Sequence, residues 1–208
     1  MPSKAHQNWE IRVKEIQQLL DAHSALVRFK KAEDAITKGA GDLRNIAKVV
    51  DALTLDPTQG KPPEVQALNS AAIALLSAHL QGFVTELYEE ACDTLLKKHV
   101  PSVEALKKAS PSRGNPNVDN IKKLFGSIGF GNVIEGISWS RMGNEALKKK
   151  LRDFNELRNR IVHGKSENVT KSSVINYLNV WTNFAKHLDR KVHDEIKKVM
   201  KKEPWQRG

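Results

Sequence analysis

The sequence predicts an all-α fold: a helical bundle around one long central helix, with an additional helical segment ahead of it. Three observations predict it. Apolar residues recur at spacings of three and four along almost all of the 208 residues. Between Glu64 and about Lys98 there is no proline, and Gly82 is the only helix breaker. The one stretch that reads as extendable, 133–140, is too isolated to build a sheet.

The elements follow in order. Trp9, Val13, Ile16, Leu20, His23 and Val27 share one face of a first helix, which Gly39 and Gly41 interrupt. Asp42 is placed to cap a short second helix with Leu43, Ile46, Val50 and Leu53 on its inner face, and 56–63 is a Pro/Gly loop. In the long segment that follows, Leu68, Ala72, Leu75, His79 and Phe83 mark one apolar face. Leu76, Leu80, Val84, Leu87 and Ala91 mark the neighbouring one. A helix apolar over so broad an arc touches partners on several sides. A second loop, 110–116, precedes a stripe of Val118, Ile121, Leu124, Phe125 and Ile128 that Gly129 ends. Leu147, Leu151, Phe154, Leu157 or Arg158, and Ile161 form the next face, and Gly164 is placed to stop that helix. The last helix is capped by Thr170 and carries Val174, Tyr177, Leu178, Trp181, Phe184, Ala185, Leu188 and Val192 inward. Three parts result: N-terminal helices packing on the bundle (1–63), the bundle itself (64–196) and a basic tail (197–208) in which Trp205 is expected to fray.

Composition bounds the function. Hydrophobic residues make up 39% and charged residues 28%, with both signs along most of the chain, which fits a packed domain and excludes a uniformly disordered polyelectrolyte. The net charge of +10 and pI of about 9.7 favour a polyanionic partner, and RNA or DNA is the commonest inside a cell. Cys92 is the sole cysteine and no clustered Cys/His spacing occurs, so neither a disulfide nor a metal site is expected, and no cofactor either. The charged start does not read as a secretory signal, and 71–84 is too short and too polar to span a bilayer. A cytoplasmic protein without membrane contact is expected.

One segment gathers chemistry-bearing residues: Arg158-Asn159-Arg160-Ile161-Val162-His163-Gly164. Arg158 adjoins an apolar stripe. Asn155, Asn159 and His163 are spaced i, i+4, i+8 and form a polar row. His163 lies at the helix end, and no carboxylate stands between Arg158 and Lys165. On residue types alone two readings stand. In one, His163 simply favours the negative helix end and Arg158 lays its stem on apolar surface. In the other, an imidazole supplies proton transfer near neutral pH while a guanidinium fork grips two phosphate oxygens. Lys148 and Lys149, with Arg160 and Lys165, are the candidate RNA-backbone contacts. The Lys-rich run from Lys186 onward reads equally as a solvated face or as a sequence-independent RNA attractor. His79 and Cys92 read as core residues.

The run Arg158 to His163 resembles the R-polar-x-x-x-H motif of HEPN domains. The stretch 69–83 resembles the central helix of the RiboL-PSP type of HEPN, and 116–129 resembles that group's mid-domain helix. The resemblance implies a metal-independent endoribonuclease that leaves 2′,3′-cyclic phosphate and 5′-OH ends. It implies His163 as general base or acid, Arg158 on the scissile phosphate and Asn159 orienting the ring or binding ribose. It also implies a homodimer with a composite site and a toxin or antiviral-defence role with a neutralising antitoxin. Several relatives carry an acidic residue where Gln81 stands here, and Glu86 lies about one turn further on. That departure keeps a catalytically inactive RNA- or protein-binding module as the alternative.

Overall fold

The computed structural model describes residues 2–38, 63–96, 104–106, 115–165 and 167–205. Among the described residues, five helices of nine or more residues carry the fold: α1 (Lys4–Lys38), α2 (Pro63–Leu95), α3 (Val118–Gly126), α4 (Asn144–Val162) and α5 (Lys171–Met200). No strand occurs among the described residues. The 133–140 stretch is a run of turns closed by a single bridge between Trp139 and Met142. The expected second helix around 42–53, the loop 56–62 and most of 110–116 lie outside the described residues.

α2 is the centre, with α1, α3, α4 and α5 all packed against it. Both of its predicted faces are used: Ala72, Phe83, Leu76, Leu80, Val84, Leu87 and Ala91 are buried. Pro63 begins the helix rather than ending the loop, because proline at the first helical position forfeits only an N–H that has no intrahelical partner anyway. Over Gln66–Leu95, α2 is long and apolar enough to cross a membrane, where the shorter stretch 71–84 read as too polar. In the bundle those apolar faces are turned to four other helices.

α1 lies along α2 and also reaches α5. Its inner row holds Trp9, Ile16, Leu20 and Val27, each at most 2% exposed, with His23 buried among them. Each such side chain contributes about 1.5–3 kcal/mol on burial, so α1 is integral to the core. Ser3 caps it, its Oγ accepting from the His6 N–H at 3.0 Å. The Glu90 carboxylate of α2 accepts from the N–H groups of Lys4 and Ala5, both at 3.2 Å, where a negative charge suits the helix N-terminus. Further along, Glu86 pairs with Arg12 and takes the Asn8 amide at 3.1 Å. Gly82 makes room for that pair, since a Cβ there would stand 2.9 Å from Arg12 Nη1. His79 faces Glu15 at 3.0 Å, and burial outweighs that carboxylate in pushing the ring toward its neutral form.

α4 and α5 meet through aromatic side chains. Phe154 packs on Tyr177 and Trp181 with ring centroids 4.9 and 5.0 Å away, so these aromatics are core, as read from their spacing. Thr170 caps α5 through the Ser173 N–H at 3.1 Å. The expected fraying of Trp205 is overturned. Lys201 turns the chain with φ +55°, and Trp205 is buried near His193. Cys92 is fully buried.

Candidate functional site

The motif occupies the last turns of α4. That helix ends in a Schellman arrangement: the Gly164 N–H reaches the Ile161 carbonyl at 3.0 Å and the Lys165 N–H reaches that of Arg160 at 2.9 Å. Gly164 has φ +74°, a conformation that costs a β-carbon-bearing residue. The turn leaves His163, Gly164 and Lys165 exposed at the molecule's end.

The predicted polar row is present and graded. Asn155 is buried and donates to the carbonyls of Pro116 (3.1 Å) and Leu151 (2.8 Å). It thereby docks the segment before α3 onto α4. Asn159 is half-buried. Its Oδ1 accepts from Asn115 Nδ2 at 3.0 Å and from Arg158 Nη1 at 3.1 Å. With that oxygen taken by two donors, the Asn159 N–H₂ is what remains to offer a ligand, and it is a donor. Arg158 is half-buried and keeps further guanidinium N–H groups beyond the one given to Asn159. Among the described residues, the His163 ring has no hydrogen-bond partner and Arg158 no carboxylate partner. One small region thus brings together a guanidinium, an amide donor and an exposed imidazole.

The four flanking cations divide. Arg160 is not open: its Nε donates to Glu167 at 2.6 Å, and that bond holds its pKa above the usual value. Lys148 is tied to Glu135 and Glu145, both at 2.8 Å. Hydrogen bonds from Lys122 and Lys148 hold the Glu135 carboxyl down to about 2. Lys149 pairs with Asp153 at 2.7 Å. Lys148 also lies ten residues before Arg158 along α4, about 15 Å at the helical rise. Lys165 alone of the four has no carboxylate partner among the described residues. Glu86, the possible stand-in for an acid at 81, is engaged with Arg12 and Asn8 of α1.

Two contributors escaped the sequence reading. Asn115 came from a loop read only as a loop, and its Asn-Pro-Asn context signals nothing beyond the Asn117 cap of α3. Glu167 lies two residues beyond Lys165, just past the stretch that holds no carboxylate. The central helix secures this connection, because Asn69, buried on α2, donates to the Val169 carbonyl at 3.0 Å. Among the described residues no group of three or more His, Cys, Asp or Glu side chains is arranged to hold a metal ion.

An all-helical bundle with an arginine, a polar residue and an exposed histidine closing one helix is the architecture of a HEPN-type domain. The family model for RiboL-PSP-HEPN matches residues 40–194, well over half the chain, and the chain belongs to that family. No curated protein and no solved structure matches it. Membership ties the chain to RNA-related, nuclease-type function. The helix α1 precedes the matched region.

Proposed function

We propose that this protein is a metal-independent endoribonuclease, with Arg158, Asn159 and His163 as its reacting set. The observation that carries the reading is the double hold on Asn159 Oδ1, which fixes a donor amide and a guanidinium beside an unpartnered imidazole at an exposed helix end. In the reaction an imidazole takes the ribose 2′-OH proton, O2′ attacks phosphorus, and the P–O5′ bond breaks. An imidazolium returns a proton to O5′. The products are a 2′,3′-cyclic phosphate and a 5′-OH, with no net proton change. Arg158, charged throughout, stabilises the crowded phosphorane oxygens, and the Asn159 N–H₂ binds phosphate or ribose. Positioned acid–base groups contribute about 10²–10⁴-fold, and a cation aimed at developing charge adds a few kcal/mol.

One chain carries one such histidine, so base and acid come from two chains in a homodimer whose motif ends share a cleft. A cytoplasmic toxin or defence effector, restrained by an antitoxin protein, is the biological setting this reading favours. The test is incubation with single-stranded and structured RNA in EDTA, followed by end-group analysis. Wild type yields cyclic phosphate ends, while His163→Ala and Arg158→Ala stay helical and dimeric and cut nothing. Equal cutting by His163→Ala refutes the site. The engagement of Glu86 with α1 favours a second reading, an inactive module that docks RNA or protein. That reading expects binding without cleavage, and binding that survives His163→Ala.

A further inference from the structure

The Lys-rich run on α5 is not uniform. Lys197 pairs with Glu203, and Lys198 with Glu195 at 2.9 Å. Arg190 and Lys191 have no carboxylate partner among the described residues. Together with His187 and Asp194 they line a concavity of about 210 Å³ whose opposite wall is the turn 136–138. That wall is fixed in place, because Asn144 donates to the carbonyls of Ile134 (2.8 Å) and Ile137 (3.1 Å). Gly136, at φ +76°, adds no side chain to it. At the rim the His187 ring stacks on Trp139, with centroids 5.4 Å apart and planes 12° from parallel.

The charge at this place is defined. Burial pushes His187 toward its neutral form, and Lys186 and Arg190 push the same way. Among the described residues Asp194 is the only carboxylate in the lining, and its Oδ1 lies 3.1 Å from His193 Nδ1. Two open cations against one occupied carboxylate leave a net positive hollow. Its volume suits a phosphate with its ribose and is small beside the roughly 300–1,000 Å³ of drug-sized ligand pockets.

The hollow is remote from the motif. Phe154 on α4 lies level with Trp181 on α5, Arg158 is one turn beyond Phe154, and Arg190 is nine residues the other way. At 1.5 Å per residue those thirteen residues amount to roughly 20 Å along the helices. That is roughly six nucleotides at 3.4 Å each along one strand.

We propose that the Arg190–Lys191 hollow is a second phosphate-binding site, which grips the backbone of an RNA strand whose scissile step lies at the motif. It rests on the reading that RNA is the substrate, and it adds that strands long enough to span both places bind better. A site that grips phosphate alone is sequence-independent.

The test is binding of 2′-O-methyl RNA, which has no 2′-OH to attack, measured by fluorescence anisotropy across a salt series. Two lengths are compared, a tetranucleotide and a strand of roughly fifteen nucleotides, chosen either side of the span. Arg190→Gln/Lys191→Gln is expected to bind the long strand roughly tenfold more weakly, with a salt slope smaller by about one to one and a half. Tetranucleotide binding is unchanged. Asp194→Asn is expected to tighten long-strand binding about twofold, a gain that loss of folding would not produce. Unchanged long-strand binding in the double variant overturns the proposal, as does an equal loss for both lengths or no binding by wild type. The nuclease reading fails separately, when wild type cuts no RNA in EDTA or His163→Ala still cuts.

Discussion

Asn115→Ala isolates the feature on which the site depends. The Asn115 side chain gives one hydrogen bond, from Nδ2 to Asn159 Oδ1 at 3.0 Å. Its main-chain carbonyl separately accepts from the Asn117 N–H (2.8 Å) and from Asn120 Nδ2 (2.9 Å), and both bonds survive the change to alanine. The perturbation therefore leaves the start of α3 in place and removes one of the two donors that orient the Asn159 amide. Arg158, at 3.1 Å, becomes the sole hold on that oxygen. A neutral, half-buried hydrogen bond is worth about 0.5–1.5 kcal/mol net, so kcat/KM for RNA cleavage is expected to fall roughly two- to tenfold. Thermal unfolding should move little. Asn117→Ala is the counterpart: it removes the α3 cap, which accepts from the Asn120 N–H at 2.7 Å, and costs about 1 kcal/mol of stability. It touches no motif residue, so activity well below the melting temperature should hold. A double-mutant cycle closes the argument, because Asn115→Ala should add little once Asn159 is already alanine. If Asn115→Ala cuts as well as wild type while Asn159→Ala is impaired, the double hold does not position the amide and the reasoning fails.

Two further outcomes test the scaffold. Gly82→Ala should raise the melting temperature by less than the roughly 1 kcal/mol that alanine gains over glycine inside a helix would give, because the new Cβ would stand 2.9 Å from Arg12 Nη1 and the flexible guanidinium must shift against Glu86. In an Arg12→Leu background the same change should raise the melting temperature further, and equal shifts in both backgrounds would dismiss the contact. Asp189 is buried on α5 and accepts the Ser3 N–H at 3.3 Å. Burial raises its pKa, against the Ser3 bonds and the nearby His6 and His193. A raised carboxyl pKa means stability that is present in full below the unfolded value of 3.8 and is lost as pH climbs through the folded value. Asp189→Asn keeps an oxygen for Ser3, so it should melt higher than wild type at neutral pH, and the gap should close below pH 3.8. A gap independent of pH would refute the assignment.

What the sequence made legible was local. Helix faces follow from spacing, and nearly every residue assigned inward on α1, α2, α4 and α5 is buried or packs against the core. The Thr170 cap and the Gly164 stop are decided within a few residues of themselves. Non-local pairings left no such trace. Asn115 and Asn159 are 44 positions apart, and nothing in either neighbourhood announces the other. Asp189 escaped for the opposite reason: it falls on the buried side of α5 beside Leu188, but an acidic residue is scored as surface unless its partner, here the chain's own N-terminal segment, is known. Trp205 is hidden from such reading because nearness to the chain end argues for fraying, whereas its burial follows a left-handed turn at Lys201 that no local signal announces.

The same contrast sharpens what the net charge of +10 can mean. A formal charge counts every lysine and arginine alike, whereas a polyanion competes with whatever carboxylate already sits on each. Arg160, Lys148, Lys149, Lys197 and Lys198 all have such a partner, and displacing it recovers little because the released carboxylate repels the incoming phosphate. Among the cations without such a partner in the described residues, Arg158 and Lys165 at the motif end and Arg190 with Lys191 at the α5 hollow form two separate groups. Phosphate affinity is expected at both of these places. Of the two, only the motif end carries an exposed imidazole. Binding can be shared between the sites, but the proton transfers that cleavage requires belong to one.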